Sequence, residues 1–330
     1  MSRKRVVVLG SNFGGLTAAL AVKHELDGDV DVTVISPSDR FLFNPSLIWL
    51  PFGKRTPEDI TFPVEPTFTE HGVDFVHAAA TELQLGENRV ATADGTHDYD
   101  YLVIATGYRN NFDAVPGLGP GGNAYNITTL EDAVHAGEGW RRFLDEPGDV
   151  VIGATQGAGC FGAAYEYLFN FSHQLRKAGL KKQVNLTYVS PEPELGHFGI
   201  GGLKHGESML GMFLKKEKIG THLDVAIDHV DEGRVALADG TNLDFAYAMI
   251  IPPFVGQDVV AKATDIADDK GYVPVRDTYQ TEPYDNVYAV GIAAAVEVPW
   301  HTSNPVGIPK TGFPTETQAH VAAKNIAAQV

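Results

Sequence analysis

A three-layer α/β architecture made of two Rossmann-like units is predicted by three features of this 330-residue chain. A strand, a glycine turn and a helix follow one another from residue 5 and again from residue 149. Between them a buried strand ends in Ala105-Thr106-Gly107. After the second unit come a strand ending at Gly291 and a terminal helix from about Phe313 to Ala328. The first unit is therefore predicted to be discontinuous, built from residues 1–115 and 281–330, with residues 116–280 inserted as the second. The cluster from Pro116 to Gly122 and the stretch from Thr281 to Tyr284 mark the boundaries.

Taken in order, Arg5 to Leu9 reads as a strand and Leu16 to Glu25 as an amphipathic helix. Gly10, Asn12 and Gly15 occupy the three positions of a dinucleotide fingerprint, with Gly14 in the same turn. Asn12 stands where a middle glycine is usual and is expected to adopt a left-handed backbone, which asparagine tolerates. A pyrophosphate would then sit on the helix N-terminus. The next strand, Val30 to Ile35, ends at Ser36, whose hydroxyl is the candidate ribose contact in place of the usual acid. Phe41 to Gly53 is an apolar loop that either packs beneath a domain or walls a ligand. Asn88 to His97 is a hairpin turning at Asp94-Gly95.

Combined with the first turn, Ala105, Thr106 and Gly107 point to a flavin rather than a plain nicotinamide domain, with FAD as the expected cofactor. The terminal helix would aim its N-terminus at a flavin pyrimidine, Lys310 adding positive charge.

The second unit carries the one cysteine. Val150 to Ile152 is a short strand, Gly153 to Gly159 a tight turn, and Cys160 opens a helix. A thiolate there is expected to form more easily than in free cysteine, because helix N-termini favour anions. Laid on Gly153, the fingerprint meets Thr155, Ala158 and Cys160, which argues against NADH. The strand from Val184 to Val189 ends at Ser190 with no acid ready for a ribose.

Composition narrows the class. A hydrophobic content of 44% supplies a sizeable core, and a net charge of -17 opposes binding to nucleic acid or an anionic bilayer. A single cysteine excludes an internal disulfide. Val6 to Leu9 is too short for a signal peptide, and no apolar run is long enough to span a bilayer. The chain is expected to be soluble and cytoplasmic, or peripheral at a membrane. None of the 12 histidines pairs at zinc spacing, so no metal site is expected.

The segments FLFNPSLIWLPFG, YDYLVIATG, GATQGAGCFGAAYEY, PEPELGHFGIGG, MIIPPFVGQD and GIPKTG, in this order, closely resemble the sulfide:quinone oxidoreductases. These are a membrane-associated branch of the glutathione-reductase-like flavoproteins with two FAD/NAD(P)-binding domains. The resemblance implies FAD in the first unit and a redox cysteine, Cys160, brought to it by the second glycine turn. It implies roles near the flavin or sulfide pocket for Glu166 and His197, and isoalloxazine contacts for Lys310 and Thr311. The implied partners are a sulfide or thiol donor and a quinone or other acceptor, with self-association as a homodimer open.

The chain departs from the family in ending soon after the flavin-contacting helix. The family's C-terminal region supplies another cysteine, much of the quinone pocket and amphipathic membrane helices. Membrane contact is not expected without it. Ile127-Thr128-Thr129 stands where the family often has a further cysteine, and Asp132 where a histidine follows. Three activities stay open: sulfur oxidation at Cys160 with two electrons passing to FAD, an NADH-dependent flavin or quinone reductase, and a degenerate flavin-binding subunit.

Overall fold

A computed structural model describes residues 3–296, 300–308 and 311–330. Its first sheet is parallel, with strands in the order Val287–Ala289, Tyr101–Ile104, Lys4–Leu9, Val30–Ser36 and Asp74–His77. Val6, Val7, Val8 and Leu9 are all buried, as a central parallel strand covered on both faces requires. Val6, Val8, Val32 and Val34 pack on the helices Phe13–Glu25 and Gly312–Ala327. Val7, Leu9, Leu102 and Ile104 pack on the opposite layer.

That opposite layer holds Val260, Ile266 and Val273, which the sequence pattern places in the inserted unit. Residues 258–273 therefore pack with the first sheet, earlier in the chain than the expected boundary at 281. Helix Phe13–Glu25 packs closely on both neighbours. Ala18, Ala19, Ala21 and Val22 are buried because the helix lies between the sheet and the C-terminal helix.

The second sheet is also parallel, in the order Ile219–His222, Leu186–Val189, Val150–Ala154 and Tyr247–Ile251. Helices Leu130–Asp145 and Phe161–Lys177 cover one face. An antiparallel layer, Ile227–Asp231 with Arg234–Leu237 and Asn242–Asp244, covers the other. The apolar loop expected over 41–53 is largely the 3-10 segment Asn44–Phe52, which meets both alternatives: Leu47, Ile48 and Leu50 pack into this second core, and Asn44, Pro45, Leu47 and Ile48 also wall a cavity. The units are joined by the antiparallel pair Tyr108–Asn110 with Phe254–Gly256.

The first glycine turn is shaped by close approach of backbones. Gly10 has φ +103, and a Cβ on it would lie 2.4 Å from the Ala105 carbonyl oxygen. A Cβ on Gly15 would lie 1.8 Å from the Gly10 oxygen. Gly15→Ala is accordingly expected to destabilise the fold by about 3 kcal/mol or more, since backbone rather than a flexible side chain blocks the methyl. The urea midpoint measures this.

Asn12 does not take the left-handed conformation expected of it. Its φ is -93, and it caps the helix, its side-chain oxygen accepting from the Phe13 N–H at 3.1 Å. The left-handed residue of the turn is Gly10, because the reversal falls where the strand ends.

Candidate functional site

Eight separated stretches of the chain converge on one cavity of about 320 Å³. Asn12, Phe13 and Gly14 line it from the first turn, and Ala105 and Gly107 from the strand end beside it. Gly291 and Thr311 close it from the C-terminal region. The second turn contributes Gly159 and Cys160, and the helix that follows contributes Gly162, Ala163 and Glu166. Cys160, Ala163 and Glu166 are spaced by three residues, so they share the helix face turned to the cavity.

Cys160 is the N-cap of helix Phe161–Lys177 and is partly buried. Its thiol is pushed above the ordinary value by burial, and the charge of Glu166 pushes it further. A hydrogen bond from the Ala163 backbone acts the other way and is outweighed. The expected easy thiolate is thus corrected. The helix starts in a cavity wall, where losing water disfavours charge more than one N–H favours it. Burial also raises the carboxyl of Glu166, bringing it closer to neutrality as a proton carrier.

Not every expected residue reaches the cavity. Gly10 and Gly15 shape the turn and do not line it. Ser36 is buried, its hydroxyl 2.9 Å from that of Ser11 and accepting from the Ser38 N–H at 3.2 Å, so the expected ribose contact is spent inside the protein. His197 does not line the cavity either. It is buried edge-on against Trp300, its Nδ1 accepting from the Gly199 N–H at 3.3 Å, where it organises a loop. Lys310 lies outside the described residues.

Some cavity residues could not be identified from motif spacing. Thr128 lines the cavity with its hydroxyl 2.9 Å from Asn126 Oδ1 and 2.8 Å from Asn110 Nδ2. Tyr108 stacks on Phe254 at 3.9 Å and donates its hydroxyl to the Thr128 carbonyl. Both depend on the crossing of Tyr108–Asn110 with Phe254–Gly256, a pairing between residues far apart in sequence.

Glu192, in the PEPELGHFGIGG segment, is a buried carboxylate that sequence reasoning gave no role. It accepts from Tyr165, Tyr188 and Ser190 hydroxyls and, at 2.7 Å, from the Phe198 N–H. Burial raises its pKa despite these donors. The folded protein therefore holds this proton more tightly than the unfolded chain, and the resulting stability is lost as pH rises from 4.5 through the raised value. Glu192→Gln is expected to flatten that decline in urea unfolding measured across pH. Glu192→Ala is expected to cost about 3 kcal/mol by leaving buried donors unpaired.

The residues suit a flavin. The Thr106 hydroxyl is buried without a partner between two cavity-lining residues. A Cβ on Gly14 would crowd Ala105, Thr315 and Val290 at 3.2 to 3.4 Å, so the absence of a side chain keeps this wall open. Helices Phe13–Glu25 and Gly312–Ala327 both begin at the cavity, where their N-termini favour negative charge. Among the described residues no group of three or more His, Cys, Asp or Glu could hold a metal ion, and no helix is long and apolar enough to cross a membrane.

Residues 4–323 match the pyridine nucleotide-disulphide oxidoreductase family. The chain is 33% identical to the sulfide-quinone reductase of Aquifex aeolicus (strain VF5) over 330 residues, which span 98% of this chain and 76% of that one. It is 29% identical to the mitochondrial sulfide:quinone oxidoreductase of Dictyostelium discoideum, covering 87% of this chain and 64% of the relative. The X-ray structure of the sulfide:quinone oxidoreductase from Aquifex aeolicus superposes with a TM-score of 0.94 at 32% identity, over 99% of this chain and 77% of that chain.

Proposed function

This chain belongs to the sulfide-quinone reductases of the pyridine nucleotide-disulphide oxidoreductase family, and from that premise we propose that it oxidises sulfide at Cys160 and passes the electrons to a quinone. The observation that supports the reading is the convergence of Cys160 with Gly14, Ala105, Gly107, Gly291 and Thr311 on one cavity.

FAD, when bound, supplies a two-electron acceptor for the sulfur and returns the pair to the quinone. Asn12, Gly14, Thr106, Gly107, Gly291 and Thr311 are the residues that would hold it. At Cys160 a sulfur–sulfur bond forms: H2S and the thiol become a persulfide, releasing two protons and two electrons. Glu166, on the same helix face, is the group to take a proton from the thiol. Thr128, in the cavity wall, carries a hydroxyl and cannot form a disulfide with Cys160.

With one cysteine in the chain, the persulfide leaves by exchange. An external thiol attacks the outer sulfur, takes it as its own persulfide and leaves Cys160 as a thiol, with no further change in oxidation state.

Anaerobic titration of the FAD-loaded protein with sodium sulfide tests the reading. Bleaching of the flavin colour at one sulfide per flavin is expected. A flavin that dithionite bleaches and sulfide does not would overturn it.

A further inference from the structure

Sulfur chemistry at Cys160 puts negative charge on its sulfur twice, first as the nucleophile and then as the group that leaves when an external thiol takes the outer sulfur. Burial and the charge of Glu166 both oppose that charge, and the hydrogen bond from the Ala163 backbone is outweighed. A second donor in the cavity wall would offset them. Tyr108 supplies one.

Tyr108 and Cys160 line the same cavity, and one aromatic ring fixes the place of both. Phe254 lies so close to Gly159, the residue before the cysteine, that a Cβ there would stand 2.4 Å from its Cδ2. Tyr108 stacks on that same ring, with centroids 3.9 Å apart and planes 23° from parallel. The backbone repeats the arrangement: Ala158 bridges to Pro253, and Tyr108–Asn110 pairs with Phe254–Gly256.

Burial holds the Tyr108 hydroxyl well above its ordinary value, and the charge of Cys160 raises it further, with smaller contributions from Asp132 and Tyr272. The phenol therefore keeps its proton when the thiol has lost its own. In this structure that proton goes to the Thr128 carbonyl at 2.9 Å. The Thr128 hydroxyl cannot serve in its place, being held between Asn126 Oδ1 at 2.9 Å and Asn110 Nδ2 at 2.8 Å. A charged sulfur outcompetes a neutral carbonyl, since hydrogen bonds to ionised acceptors are roughly twice as strong.

We propose that Tyr108 is a catalytic residue of the sulfur half-reaction, its hydroxyl turning from the Thr128 carbonyl to the Cys160 sulfur whenever that sulfur is charged. In the exchange step the external sulfur bonds to the outer sulfur, the bond from the outer sulfur to Cys160 breaks, and its electron pair stays on Cys160. Tyr108 donates a hydrogen bond to that developing thiolate and keeps its own proton. This role rests on the sulfur reading of the site, but the donor itself can be measured without sulfide.

The probe is iodoacetamide on the FAD-loaded protein, with Cys160 alkylation followed across pH. Tyr108→Phe keeps a ring on Phe254 and removes the donor. Alkylation at pH 8 is expected to slow and the whole profile to move to higher pH, with FAD content retained. Sulfide-driven flavin reduction is expected to fall by about tenfold or more, the scale of a hydrogen bond to a charged group. A fluorinated tyrosine built in at position 108 keeps the ring and strengthens the donor, so it should quicken alkylation. A pure packing role would not move the two replacements in opposite directions. An alkylation profile unchanged in Tyr108→Phe would overturn the proposal, and so would a fluorinated tyrosine that leaves alkylation unchanged or slows it. Wild-type flavin that sulfide fails to bleach would instead remove the sulfur reading, whichever way the profiles move.

Discussion

Cys160→Ser is expected to slow sulfide-driven bleaching of the flavin by at least about 10³-fold, the scale of losing a nucleophile that acts as part of a unit. A hydroxyl at this position cannot hold the second sulfur, and no other cysteine in the chain can substitute. FAD content should be unchanged, because the residues expected to hold the cofactor come from the first turn and the C-terminal helix start. Stopped-flow absorbance after anaerobic mixing with sulfide measures the rate. Equal bleaching rates in the two proteins would remove the thiol from the reaction.

Glu166→Gln is expected to move two measurements in opposite directions. The charge of Glu166 disfavours the Cys160 thiolate, so its removal lowers the thiol pKa and raises the thiolate fraction at any fixed pH. Alkylation by iodoacetamide at pH 8 should then quicken, since the thiolate is the reacting form. Sulfide-driven reduction should instead fall by about 10²- to 10⁴-fold, because glutamine cannot take the proton. A residue with only a packing role would not separate the two rates. In wild type the alkylation rate should keep climbing beyond pH 9.0, since burial places the thiol above that value. A plateau near neutral pH would show instead that the helix start outweighs burial.

Much of this was legible along the chain because it depends on neighbours in sequence. The strands Val6 to Leu9 and Leu102 to Ile104 are apolar runs buried on both faces, and the glycine turns lie directly after strands. Cys160 follows the second turn at the point where a helix must begin, so its place at a helix N-terminus could be read without coordinates. The hairpin of Arg89–Thr92 with Gly95–Asp98 was likewise local.

What failed depended on partners distant in sequence. Ser36 has the right position and the wrong orientation, because Ser11 and Ser38 claim its hydroxyl. His197 lies in a motif shared with the family, yet it packs on Trp300 from a segment more than a hundred residues away. The electrostatics of Cys160 reversed for the same kind of reason. A helix dipole can be inferred from a turn, whereas the loss of water around a sulfur depends on which walls close over it.

The order of residues alone determined the two parallel units, the glycine bends and the placing of one sulfur beside the second bend, because hydrophobic periodicity and backbone sterics act over a few residues. Tertiary structure decided that seven other stretches share a cavity with that sulfur and that Glu192 turns inward. Those outcomes follow from desolvation and from packing and hydrogen bonds between groups far apart in sequence, and no local pattern encodes them.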